Sequence, residues 1–88
     1  MAQLRVTPEQ LDERASKYEV HAGELADLIT KLDNLNSQLQ GEWEGNSASK
    51  YFATYSELRP SFSKMQELIT DLAKELHQQA EKFRDADR

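Results

Sequence analysis

Apolar side chains recur along the first half of the chain at alternating steps of four and three. Leu11, Tyr18, Leu25, Leu32 and Leu39 form one row. Ala15, Ala22, Ile29, Asn36 and Trp43 form a second row between them. Steps that average three and a half residues hold one stripe on one side of an α-helix, so the pattern predicts a helix with a heptad seam. Leu28 and Leu35 widen the stripe on one flank, Asn36 interrupts it with a polar group, and Gly23 weakens the helix midway. The second half repeats the beat. Ala48, Tyr55, Phe62, Ile69, Leu76 and Phe83 make one row. Tyr51, Leu58, Met65, Leu72, Gln79 and Ala86 make the other, with Phe52, Leu68 and Ala73 on the flanks.

Local signals set the boundaries. Thr7-Pro8-Glu9-Gln10 reads as a helix start: Thr7 caps, Pro8 suits the first helical position, and Gln10 completes a capping box. Val6 and Leu11 stand at the positions of a hydrophobic staple. Between the two periodic segments lies Gly41-Glu42-Trp43-Glu44-Gly45-Asn46-Ser47, which holds the only tryptophan and two of the three glycines. Glycine costs a helix interior about 1 kcal/mol relative to alanine, so the pair marks a stop and a restart. Gly41 is expected to end the first helix in a left-handed conformation and Asn46 or Ser47 to cap the second. Gly45 is expected to let the chain turn closely where a side chain would clash. The indole of Trp43 is expected to fold back and lock the bend. Pro60 removes one backbone donor and crowds the carbonyl of Ser56. The beat nevertheless keeps its phase from Tyr55 and Leu58 to Phe62 and Met65, which favours one kinked helix over two.

These signals give a single all-α domain over residues 1–88: a helix over 8–40, a turn over 41–46, and a helix over 47–86 kinked near Pro60. The helices would be about 50 and 60 Å long. Two such helices joined by a short turn must lie antiparallel, as a hairpin. A hairpin is only two helices thick, so Leu28, Leu35, Phe52 and Leu68 beside the seams would stay wet. Burying each is worth about 1.5–3 kcal/mol. A second hairpin would bury them in an elongated four-helix bundle of two-fold symmetry, which makes these four residues the expected dimer interface.

Composition points the same way. The chain has 88 residues, 38% hydrophobic and 31% charged, and no cysteine. One small core is all it can build, and disulfides and thiolate metal sites are excluded. A partner chain is the remaining supplement. The net charge is −5. Residues 1–44 carry nine acids and four bases, and residues 45–88 carry seven of each. No basic patch is offered to nucleic acid or to an anionic membrane. The opening Met-Ala-Gln-Leu-Arg-Val-Thr-Pro lacks the long apolar core of a signal peptide. Any export is therefore expected to use a route that reads no cleaved amino-terminal signal.

Candidate chemistry is sparse. His77 and Glu81 are four apart and could share a metal ion, but surface histidines are the simpler reading of His77 and of His21. Glu67, Asp71 and Glu75 fit a solvated helix face better than paired catalytic carboxylates, which need a cleft. There is no glycine-rich phosphate loop and no serine or cysteine nucleophile signature. Tyr51, Phe52, Tyr55 and Phe62 read as core. No enzyme, cofactor, metal or small-molecule substrate is expected.

Trp43-Glu44-Gly45, set mid-chain between two long amphipathic helices in a cysteine-free chain of this length, resembles the WXG family of small secreted proteins. These are the early-secreted-antigen-like substrates of type VII secretion. The resemblance covers essentially the whole chain. It implies a helical hairpin that dimerises into an antiparallel four-helix bundle, with itself or with a sister member of the family. It implies a non-enzymatic protein exported folded by a membrane-bound secretion ATPase. Some members act as effectors on host cells or rival bacteria, and others accompany a larger toxin. An alternative role is that of an intracellular adaptor for such a toxin. The resemblance assigns Trp43, Glu44 and Gly45 to a turn and export motif. The family's carboxyl-terminal Tyr-X-X-X-Asp/Glu signal falls on Phe83-Arg84-Asp85-Ala86-Asp87, with phenylalanine in place of tyrosine. Two readings of Phe83 stand: a half of the export signal with Asp87, or a continuation of the row from Leu76.

Overall fold

A computed structural model describes residues 5–86, and Asp87 lies outside them. It consists of two helices, α1 (Pro8–Glu42) and α2 (Asn46–Ala86), packed antiparallel as one hairpin. No strand occurs among the described residues. The particle is a rod of 65 × 23 × 17 Å.

The start of α1 is built as its sequence indicates. The backbone N–H of Gln10 donates to Thr7 Oγ1 at 3.1 Å, and the N–H of Thr7 donates to Gln10 Oε1 at 2.9 Å. Two backbone donors that the helix cannot satisfy itself are thus paired reciprocally, with Pro8 in the first turn. α2 runs unbroken through Pro60. The lost hydrogen bond falls on an exposed position, where water can reach the carbonyl that the proline leaves unpaired.

The turn differs from the expectation in three ways. Gly41 does not end α1 in a left-handed conformation, because the helix continues to Glu42. Trp43 is the cap instead, with extended backbone, and its N–H donates to the carbonyl of Leu39 at 2.9 Å. Asn46 begins α2 rather than preceding it. The connection is therefore only Trp43-Glu44-Gly45. Gly45 carries the one positive φ among the described residues, +113°, and its carbonyl accepts from the N–H of Ser49 at 3.0 Å. A Cβ at Gly45 would meet nothing within 4 Å. Its requirement is thus the dihedral, not the space that the sequence suggested.

The seam is made of small residues. Ala15, Ala22 and Ile29 of α1 are buried, and so are Ala48, Ala73 and Ala80 of α2. Alanines at the contact let two helices approach closely, and the larger apolar groups then sit beside the contact, not in it. No large side chain is fully buried among the described residues. On α1 the inner row is the expected one. On α2 the expected second row is displaced: Tyr51, Leu58, Met65 and Leu72 are each about half exposed. The row that faces α1 is Phe52, Arg59, Gln66, Ala73 and Ala80, each buried or half-buried. Its polar members Arg59 and Gln66 hide it from a search for apolar periodicity.

Candidate functional site

The two long sides of the rod have opposite characters. One carries polar ties between the helices. Asp33 of α1 accepts from the Tyr55 hydroxyl at 2.6 Å and from Arg59 Nε at 2.8 Å. These two donors hold its carboxyl below the usual carboxylate range, Arg59 contributing most. Near the open end, His77 is placed between two carboxylates of α1, with Nδ1 at 2.6 Å from Asp12 and Nε2 at 2.7 Å from Glu19. Asp12 also accepts from Arg84. The hydrogen bonds to Asp12 and then Glu19 push the His77 pKa up, and those from His77 and then Arg84 push that of Asp12 down. The metal reading of His77 with Glu81 fails on this geometry. Both imidazole nitrogens are engaged across the hairpin, and Glu81 pairs with Arg84 at 2.9 Å.

The opposite side carries most of the exposed large apolar side chains. Residues 18, 25, 28, 32, 35 and 39 of α1 lie clockwise or anticlockwise of the buried row on one hand, and Asp12, Glu19 and Asp33 on the other, as a period of 3.6 requires. On α2 the same division separates residues 51, 58, 65 and 72 from Arg59, His77 and Arg84. Two hollows confirm that the apolar flanks meet. One, of about 370 Å³, is lined by Leu32, Leu35, Asn36, Gln38, Leu39, Glu42, Tyr51 and Tyr55. The other, of about 210 Å³, is lined by Tyr18, His21 and Ile69. Leu28, Leu35 and Leu68, three of the four expected interface residues, are each about half exposed. Phe52, the fourth, is half-buried in its own chain and packs edge-on against Trp43.

The aromatic cluster closes the turn end. The Trp43 ring lies 5.7 Å from that of Tyr51 and 6.0 Å from that of Phe52, both near the start of α2, and Tyr51 meets Phe52 edge-on at 5.6 Å. The indole thus folds back on α2 and fixes the bend, while 38% of the residue stays accessible. Glu44 is exposed beside it. Phe83 is half-buried at the other end of the rod. Roughly 55 Å of helix separates it from the turn, so one chain does not bring Trp43 and Gly45 to Phe83.

A narrow two-helix rod with an aromatic-locked Trp-X-Gly turn and large apolar side chains exposed along one side defines a helical-hairpin protein. The chain is a member of the WXG100 family, "Proteins of 100 residues with WXG", which it matches over residues 3–88. Protein YukE of Bacillus subtilis is 36% identical over 84 residues, covering 96% of this chain and 87% of that protein. The structure of EsxA from Geobacillus thermodenitrificans superposes with a TM-score of 0.84 at 39% identity, covering 99% of this chain and 94% of that one. The type VII secretion system extracellular protein A of Staphylococcus aureus is 20% identical over 87 residues, 99% of this chain and 90% of that protein.

The polar ties do not show in the apolar periodicity. The signal was present as spacing: Asp12, Glu19 and Asp33 lie on one heptad-spaced row beside the buried alanines, and His77 and Arg84 lie on another. A charged row flanking a seam reads as a solvated face until the opposing helix is aligned with it.

Proposed function

We propose that this protein is a type VII secretion substrate that leaves the cell as a folded dimer and acts by binding, not by catalysis. The observation that carries the reading is the apolar side of the rod. Leu28, Leu35, Leu58, Met65, Leu68 and Leu72 are each about half exposed there. Covering the exposed half is worth roughly 1 kcal/mol per side chain. Two-fold pairing doubles this to roughly 12 kcal/mol, which falls within the range of about 4–15 kcal/mol that association costs in lost freedom. Tyr51, Tyr18 and the half-buried leucines between them then supply the surplus.

In the same proposal the export signal is composite. Trp43 and Gly45 of one protomer form one half. Phe83 and Asp87 of a partner running the other way form the second half at the same end of the bundle. Only a folded dimer presents both, so the secretion ATPase reads assembly before transport. The family relationship, the accessible indole and the distance between the two halves within one chain support this reading. No cleaved leader enters the scheme.

The test is secretion of Trp43→Ala and Asp87→Ala, with thermal unfolding and dimer mass measured on the same variants. The wild-type chain is expected in the medium only when the secretion ATPase is active. At least one variant is expected to stay folded and dimeric in the cell without being exported. Normal secretion of both variants, or loss of export only in step with unfolding, contradicts the composite signal. A chain held in the cytosol on a larger co-purifying protein contradicts the substrate reading and indicates an adaptor.

A further inference from the structure

Asn36 interrupts the inner row of α1, and its Oδ1 is buried with no hydrogen-bond partner. It lines the larger hollow together with Leu32, Leu35, Leu39, Tyr51 and Tyr55. A buried amide end without a partner is costly, and native structures seldom leave one unexplained. The apolar row of α2 has its own polar interruption. Residues 51, 58, 65 and 72 are apolar, and the next step of seven lands on Gln79, which is exposed. A polar residue in an apolar seam commonly fixes register and orientation between chains.

The cross-hairpin ties set the height of each residue along the rod. Tyr55 and Arg59 pair with Asp33, and His77 pairs with Asp12 and Glu19. Gln79 is therefore level with Asp12, in the second turn of α1, and Asn36 lies near the other end. Two rods can cover each other's apolar sides fully in two ways. Side by side in the same direction, the hollow at Asn36 faces its own copy, and two concavities leave a void. Head to tail, with the two-fold axis at mid-rod, the same hollow faces the level of Leu72 to Gln79 on the second copy. The smaller hollow at Tyr18 and Ile69 then faces the half-exposed Leu28 and Leu58. Voids are costly and interiors close-pack, so the head-to-tail arrangement fits the relief of the surface. It also brings Gln79 within about one helical turn of Asn36.

We propose that the second copy fills the hollow at Asn36 with the open end of its hairpin, and that its Gln79 hydrogen-bonds Asn36. The pair is made twice by symmetry and holds the rods head to tail. It rests on the reading that the apolar side is covered by a second copy. A carboxamide carries both a donor and an acceptor, so Gln79 serves the unpartnered end of Asn36 whichever way that amide is turned.

The chain contains no cysteine, so Ser47→Cys gives one spin-label site per protomer at the turn end. Pulsed electron–electron spin resonance then reads the orientation, and sedimentation of the same samples reads the dimer constant. In an otherwise wild-type background a single long distance of roughly 50 Å or more is expected, against less than about 25 Å for rods running the same way. Asn36→Leu and Gln79→Leu are each expected to weaken the dimer about tenfold or more by leaving one amide unpaired. The double variant is expected to regain most of the affinity yet to show a short-distance population, because nothing polar selects orientation. The exchange of Asn36→Gln with Gln79→Asn is expected to keep the long distance. A short distance in the wild-type background, or additive losses in the double variant with the long distance retained, overturns the pair while leaving dimerisation standing. A wild-type chain that sediments as a monomer overturns both.

Discussion

Gly45 and His77 show two ways in which a single residue shapes this molecule. Gly45 is required by its φ of +113° alone, since a Cβ there would meet open space. Gly45→Ala is expected to cost roughly 1–2 kcal/mol. Gly45→Ser should cost about the same, because strain and not size is at issue. Chemical unfolding checks this, and a much larger loss for serine would point to a clash. His77 acts through charge. Its folded pKa lies above the ordinary 6.5, because Asp12 and then Glu19 hydrogen-bond the imidazolium. Its contribution is therefore present in full below pH 6.5 and is lost as pH rises through the raised value. Asp12 and Asp33 have folded pKa values below the ordinary 3.8. Their contributions are present above that value and are lost as pH falls through the lowered ones. The melting temperature of His77→Ala, compared with that of the wild-type chain, is expected to differ most near about pH 5–6 and least near about pH 9. A difference independent of pH would show that the contacts with Asp12 and Glu19 do not stabilise the fold. Gly41 could not be placed from sequence. A glycine two residues before the cap carries the same local signal as the stop itself, and Trp43, the actual cap, packs on Tyr51 and Phe52.

At the scale of elements, the periodicity of α1 was legible because its buried row, Ala15, Ala22 and Ile29, is also its apolar row. On α2 the two do not coincide. Tyr51, Leu58, Met65 and Leu72 keep the heptad beat but face outwards, while Arg59 and Gln66 occupy the row towards α1. One sequence records both the surface that meets the other helix and the surface left over for association, and period alone does not assign each to its neighbour. Arg59 is tolerated beside the seam because its single Nε–H is shared between the two carboxylate oxygens of Asp33, and its Nη1 donates to the Ser63 hydroxyl. Pro60, by contrast, lies inside α2, and the apolar phase survives it. Pro60→Ala restores a backbone donor at an exposed position and relieves the crowding at Ser56. It is expected to stabilise the hairpin by up to roughly 3 kcal/mol. Unchanged or lowered stability in urea unfolding would mean that packing around residues 56–60 has adapted to the proline.

The whole molecule is a rod 65 Å long whose principal extents across are only 23 and 17 Å. Its thinness follows from the hairpin, and among the described residues the buried core consists of alanines and one isoleucine. The antiparallel pairing, the turn at Trp43 and the exposure of Leu28, Leu35 and Leu68 were all legible in the sequence. The polar side was not, because Asp12, Glu19 and Asp33 acquire meaning only when His77, Arg84 and Arg59 are brought opposite them. The division into one tied polar side and one open apolar side underlies the proposed association and export as a dimer. It also predicts the shape of the assembly. Small-angle X-ray scattering on the wild-type chain at micromolar concentration, with mass taken from the forward intensity, tests this most directly. About twice the 10.1 kDa chain mass is expected in a particle still roughly 65 Å long, because the rods pair side to side over their full length. A particle of single-chain mass, or a dimer about twice as long as one rod, would contradict it.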